Sequence, residues 1–253
     1  MSILNNNERN GNFTSSEIVN LTKTGKGENG FGAAAITYIK ERNQERRLGR
    51  SLSLQSDAKP LVWGNTLEAR VFNLLPEGYT YSSQETNCHP TIPYWCGSKD
   101  GMNGDNCVID IKCPMTLSSF CDLVQPLYDG LEGNDCINAI RDNHKDGDKY
   151  YWQLVSNAII NNCTHAELII YMPYESEIPE IRVSYPNVRF LQNDDLPYIK
   201  DGGYYKNLNI IRFEVPQSDI DLLTERVTIA GSMLVGSITS KDELTKRKLN
   251  KKK

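Results

Sequence analysis

The stretch from Gly97 to Pro114, GSKDGMNGDNCVIDIKCP, holds the residues best suited to chemistry. Asp110 and Lys112 lie two apart, so in a strand their side chains share one face, and Asp100 stands at the start of the turn before them. Two carboxylates and an ammonium therefore converge. Phosphodiester hydrolysis at neutral pH needs a metal that neutralises the phosphate and lowers the pKa of water, and hard Mg²⁺ prefers oxygen ligands. Asp100 and Asp110 supply carboxylate oxygens, and the backbone carbonyl of Ile111 is an extra ligand of the same kind. Lys112 would orient the attacking water and stabilise the charge that develops on phosphorus.

The remaining chain must position these groups. Thr14, Ser15, Ser16 and Glu17 have the form of a helix start, with a short helix through Lys23. The glycine-rich run from Gly25 to Gly32 breaks it, and a second helix follows from Phe31 to Arg42. Residues 43–59 are polar and read as a loop. A third helix spans Val62 to Leu75, because Leu67, Val71, Leu74 and Leu75 recur at three- and four-residue steps, and Pro76, Glu77 and Gly78 end it. Strands are expected at 79–83, 92–96 and 108–112, with residues 101–106 as a turn, so that the acids sit on a hairpin. A helix over 150–161 and a buried strand over 166–172 complete an α/β pattern.

Of the 253 residues, 39% are hydrophobic and 24% charged, which fits a folded chain and excludes the disordered and membrane classes. No run approaches the roughly 20 apolar residues of a membrane span, and the start MSILNNNERNGN lacks a signal-peptide core, so the expected location is cytoplasmic. One domain is expected over residues 1–240: a helical segment to about 60, a core over 61–175 and a variable part over 176–240. Residues 241–253 form a basic tail with seven Lys/Arg against two acids, a net of +5 that leaves −9 for the rest of a chain whose total is −4. Such a tail is either a phosphate contact or a solvated end. Seven cysteines without secretory context imply reduced thiols, and Cys88, His89, Cys96, Cys107 and Cys113 lack the CxxC pair usual in zinc sites.

Asp100, Asp110, Ile111 and Lys112, running into Cys113 and Pro114, resemble the motif of the PD-(D/E)xK nucleases, and within them of the lambda-exonuclease and YqaJ-type viral recombination family. The resemblance covers roughly residues 9–175. It implies a restriction-endonuclease-like α/β fold, with a mixed central sheet flanked by helices. Glu68 in WGNTLE is similar to the helix acid that supports a second metal, and Gln153 in YYWQ to the glutamine that positions water or phosphate. Arg9, Thr14 and Ser16 in RNGNFTSSE, with Ser98, resemble the pocket that holds a 5′-terminal phosphate, and hydroxyls with a guanidinium at a helix start make a sound anion site. This sequence departs from the family in three places. Lys99 stands in place of the usual proline, making that turn less rigid, Asp110 in place of glutamate, and Ser118 in place of a basic residue of the phosphate pocket.

The resemblance thus implies a two-metal, Mg²⁺-dependent deoxyribonuclease, with Mn²⁺ as a substitute, in which Asp100, Asp110, Ile111 and Glu68 hold metal. Its substrate would be double-stranded DNA ends resected 5′ to 3′ during phage-type recombination, inside a bacterial host if phage-encoded. A single-strand annealing protein and a ring-like homo-oligomer, a trimer, are the partners it implies. The alternatives are an endonuclease, structure- or sequence-specific, on the same core, and a non-catalytic DNA-binding protein.

Overall fold

The computed structural model describes residues 9–52, 58–82 and 85–235. The basic tail lies outside the described residues, as do parts of the expected loop at 53–57 and strand end at 83. The central sheet has five strands: β2 (Tyr79–Tyr81), β5 (Gly101–Asn103), β6 (Cys107–Lys112), β7 (His165–Tyr171) and β8 (Leu208–Glu214), in the order β2-β5-β6-β7-β8. β6 and β7 run parallel, and the other pairs are antiparallel. The sheet is therefore mixed.

Both parallel strands are buried on both faces, which is why their sequences, CVIDIK and HAELIIY, read as nearly continuous apolar runs. Val108, Leu168 and Ile170 pack into the larger core with α4 (Leu117–Tyr128), α5 (Gly133–Asn143), α6 (Gly147–Ile160) and α9 (Gln217–Ser232). Ile109, Ile111, Ile169 and Tyr171 point the other way, onto α3 (Lys59–Phe72), α7 (Ile178–Ser184) and α8 (Arg189–Asn193). The crossover α4-α5-α6 joins β6 to β7, bringing α6 back across the face that carries Asp110 and Lys112. On the opposite face from those residues, the buried Glu167 of β7 accepts from Tyr79 at 2.8 Å, Asn103 at 2.8 Å and Arg212 at 3.1 Å, tying four strands together.

A second, three-stranded sheet has the order β1-β4-β3, with β1 (Phe13–Thr14) parallel to β4 (Trp95–Gly97) and β3 (Asn87–Cys88) antiparallel to it. The strand expected at 92–96 thus begins at Trp95 and belongs to this sheet instead of the central one. Residues 13 and 14 form a strand where a helix start was expected. A 3₁₀ turn over Ser15–Glu17 and the short α1 (Val19–Thr22) follow, and the Thr14 hydroxyl caps neither. It bonds Ser16 and Tyr38 instead, each at 3.4 Å.

Two further expectations are corrected. The polar stretch after residue 42 is not all loop, since α2 (Ala33–Leu48) continues to a left-handed Gly49 with φ of 68°. Glu45 explains its polarity. Its carboxylate, 1% exposed, accepts the N–H of Gly11 at 2.9 Å and pairs with Arg42 at 2.9 Å, so a charged residue serves the interior. Gly101, Met102 and Asn103 form β5, which shortens the expected turn to residues 104–106.

The thiols are not all reduced. Cys88 and Cys96 are directly opposite across the β3–β4 pair and form a disulfide. Cysteine parity and compartment carry no information about which residues a strand register brings face to face, and here the register decides. Cys107, Cys113, Cys121, Cys136 and Cys163 remain free. Among the described residues no helix is long and apolar enough to cross a membrane.

Candidate active site

Asp110, 1% exposed, sits near the C-terminal end of β6 and faces α6. Gln153, one turn into α6, donates its amide to Asp110 Oδ1 at 2.6 Å. Lys112 lies two residues along the same face, with Nζ 2.6 Å from Asp110 Oδ2 and 3.5 Å from Gln153 Oε1. The three side chains form a closed triangle. Beneath the ammonium lies the ring of Tyr150, 4.9 Å from Nζ. Burial works against the Lys112 charge, but the Asp110 and Asp100 carboxylates outweigh it, so the ammonium is held well above its ordinary pKa.

Asp100 precedes β5 and reaches β6 by accepting the Ile111 N–H at Oδ2, 2.6 Å away. Its carboxyl is pushed well above the usual range by burial, then by the charges of Asp110 and Glu68, with Lys112 and the Ile111 N–H acting in the opposite direction. Glu68 projects from α3 and accepts from Tyr81 at 3.1 Å. Trp63 of the same helix donates its indole N–H to the Pro114 carbonyl at 3.2 Å, which fastens α3 to the chain just beyond Lys112. Ile111 itself turns its side chain into the core on the α3 side.

The donor set fits a hard divalent cation. Three carboxyl groups act on one another, and the buried Asp110 Oδ2 meets the Lys112 ammonium at 2.6 Å. Burial, then the charges of Glu68 and Asp100, push the pKa of the neighbouring Cys113 thiol up. Among the described residues no group of three His, Cys, Asp or Glu side chains is arranged to hold a metal ion, and Ile111, Gln153 and Lys112 engage the oxygens of Asp100 and Asp110.

The anion-site residues come together only in part. Arg9 donates to Ser16 at 3.4 Å, and Ser16 lies 3.4 Å from Thr14. Ser98 joins a different pair: its hydroxyl bonds Thr86 at 3.2 Å. Two residues not anticipated from the sequence complete the Arg9 cluster. Tyr38 accepts at its hydroxyl from the Thr14 N–H at 2.8 Å, and the Arg42 guanidinium lies over the Tyr38 ring at 5.1 Å. Burial lowers the Arg9 pKa, with Tyr38 acting against it and the charge of Arg42 adding to it. The four-residue spacing of Tyr38 and Arg42 on one helix face was the available signal.

Lys99 contradicts the looser turn expected without proline. It is 7% exposed and donates to Asn87 Oδ1 at 2.7 Å and Asn161 Oδ1 at 2.9 Å, so the segment before Asp100 is tethered on both sides. Ser118 is exposed at the start of α4 and adds no cation there.

The mixed sheet between helix layers carries Asp110 and Lys112 on its parallel pair, with Asp100 beside them. Solved structures share the fold. The chain is similar to LHK-Exo in complex with dAMP, with a TM-score of 0.60, 18% identity and 98% of both chains covered. It is similar to the alkaline exonuclease LHK-Exo from Laribacter hongkongensis with a TM-score of 0.58, 18% identity and coverage of 97% and 96%. A phage-related exonuclease from Haemophilus somnus 129PT gives a TM-score of 0.59, 13% identity and coverage of 88% and 92%. No family model matches the chain, and no curated protein matches it in sequence.

Proposed function

We propose that this chain is a divalent-metal-dependent deoxyribonuclease that degrades linear double-stranded DNA from its ends, with 5′-to-3′ polarity. The observation that carries the reading is the Asp110–Lys112–Gln153 triangle beside Asp100, at the C-terminal end of the middle strand of a sheet with an exonuclease-like fold. Asp100, Asp110, the Ile111 carbonyl and Glu68 would hold Mg²⁺ or Mn²⁺, as two ions. When bound, the metal supplies charge neutralisation and water of lowered pKa.

The protein's own groups do the rest. Lys112, kept charged by the carboxylates, stabilises negative charge growing on the phosphate oxygens and orients the attacking water. Gln153 fixes the Asp110 carboxylate and, through its Oε1, the direction of the ammonium. Arg9, Thr14 and Ser16, with Arg42, would receive a terminal phosphate, and Ser98 lies two residues before Asp100. The bound dAMP of LHK-Exo supports an end-directed reaction, since a mononucleotide is what stepwise hydrolysis releases. The family resemblance supports a trimeric ring, an annealing partner and a role in recombination.

Linear duplexes labelled at one end, with or without a 5′-phosphate, test this reading in Mg²⁺ and in chelator. Progressive loss of label from the 5′ side in Mg²⁺ alone is the expected result. Internal cuts, or cleavage that persists in chelator, would overturn it.

A further inference from the structure

Gln153 is not alone on its face of α6. Asn157 and Asn161 follow at four-residue steps, so three amides form one stripe along the helix. Each reaches the acid-bearing strands. Gln153 holds Asp110, Asn157 donates to the Ser98 carbonyl at 3.2 Å, and Asn161 accepts from the Lys99 ammonium at 2.9 Å while donating to the Asn157 carbonyl at 2.7 Å. The two residues immediately before Asp100 are thus held by the helix that holds Asp110.

Two features show that this arrangement is built. Lys99 is a buried ammonium that meets two amide oxygens and, among the described residues, no carboxylate within ion-pair distance. Burying a charge in that way is costly, and burial indeed lowers its pKa. A side chain of similar length without charge would pack at less cost, so the lysine contributes something other than stability. Gly97 is the second feature. A Cβ there would stand 2.1 Å from Ser15 Oγ and 2.3 Å from Asn157 Oδ1, so only glycine lets the strand lie this close to the stripe.

We infer that Lys99, Asn157 and Asn161 are positioning residues that set Asp100 against Asp110 and so fix the spacing of the carboxylates that bind metal. The inference rests on the nuclease reading and adds residues that touch neither metal nor DNA. They act through the segment Ser98–Asp100, which replaces the rigidity of a proline with a hydrogen-bonded clamp.

Calorimetric titration of the full-length protein with Mn²⁺, without DNA, reads the clamp directly, and melting curves and steady-state cleavage of a short duplex accompany it. Lys99→Met and Asn161→Ala are expected to weaken Mn²⁺ binding about tenfold and to lower kcat, with the KM for DNA within about twofold of wild type. Asn161→Asp, which keeps the acceptor for Lys99 but loses the donor to the Asn157 carbonyl, is expected to bind Mn²⁺ more tightly than Asn161→Ala. Folded Lys99→Met and Asn161→Ala proteins that bind Mn²⁺ like wild type would overturn the inference alone. If one variant does not fold, the other decides; if neither folds, the stripe is scaffolding only and the inference is lost. Wild-type protein that binds no Mn²⁺ and cleaves no DNA would overturn the nuclease reading and this inference with it.

Discussion

The Asp100 carboxylate accepts the backbone N–H of Ile111 at 2.6 Å, so the first acid is fastened to the residue that separates the second acid from the lysine. The same carboxyl is disfavoured as an anion by burial and by Asp110 and Glu68. Asp100→Asn keeps an oxygen for the Ile111 N–H while removing the charge. It should raise the Tm of the metal-free protein by roughly 2–4 °C, equivalent to about 1 kcal/mol. Cleavage in Mg²⁺ should fall by more than the roughly 10–100-fold typical of losing an outer-shell partner. Thermal melts in chelator, paired with cleavage rates, check both parts.

Arg9 is half-buried and donates to Ser16, while Arg42 pairs with Glu45 and keeps a buried Nε with no hydrogen-bond partner. An anionic DNA terminus would offer Arg9 a charged acceptor. Arg9→Ala should raise KM for 5′-phosphorylated ends about tenfold, corresponding to the roughly 1.5–3 kcal/mol of a charge-assisted hydrogen bond at its lower end. Ends bearing a 5′-hydroxyl should be little affected. Steady-state kinetics on the two substrates measures the difference.

His144 provides a pH test away from the carboxylates. It is 5% exposed, takes the Asp146 N–H at Nδ1 over 3.1 Å and bonds Ser119 through Nε2 at 2.8 Å. Burial lowers its pKa below the ordinary 6.5, so the unfolded chain binds a proton more readily than the folded one below that pH. Its contribution is therefore fully present above pH 6.5 and is lost as the pH falls toward the folded-state value. Between pH 7.5 and 5.5 the Tm of wild type should drop by more than that of His144→Gln. Equal drops would remove His144 from the acid sensitivity of the fold.

The Cys88–Cys96 disulfide closes a short loop, with a sequence separation of 8. Loop-closure entropy for a ring of that size gives about 2.5 kcal/mol of stabilisation. Thiol titration of the denatured, unreduced protein should find five free cysteines of the seven, and reduction should lower the Tm. Seven free thiols in protein purified without reductant would contradict the pairing.

Sequence reasoning succeeded where the determinant was local. Asp110 and Lys112 share a face because strand side chains alternate, and the runs VIDIK and AELIIYM announce buried strands whichever way they pair. Gln153 was singled out by the family resemblance of YYWQ, and α6 carries it against Asp110. What was missed depends on contacts distant in sequence. Glu45 looked solvated because nothing nearby shows that Gly11 and Arg42 would surround it, and α2 was cut short as a result. Cys88 and Cys96 needed the β3–β4 register, and Lys99 needed Asn87 and Asn161, the latter 62 residues away. For Ser98, its place two residues before Asp100 was local and legible, while its hydroxyl partner, Thr86, was not.

The central claim is that Asp110 and Lys112 carry metal-dependent hydrolysis at DNA ends. Linear and covalently closed forms of one plasmid, incubated with Mg²⁺ and wild-type, Asp110→Ala or Lys112→Ala protein, test it most directly. The account predicts that wild type degrades only the linear form, that both variants retain DNA binding, and that neither variant releases nucleotides. Closed circles cut as fast as linear DNA, or hydrolysis retained in both variants, would contradict it.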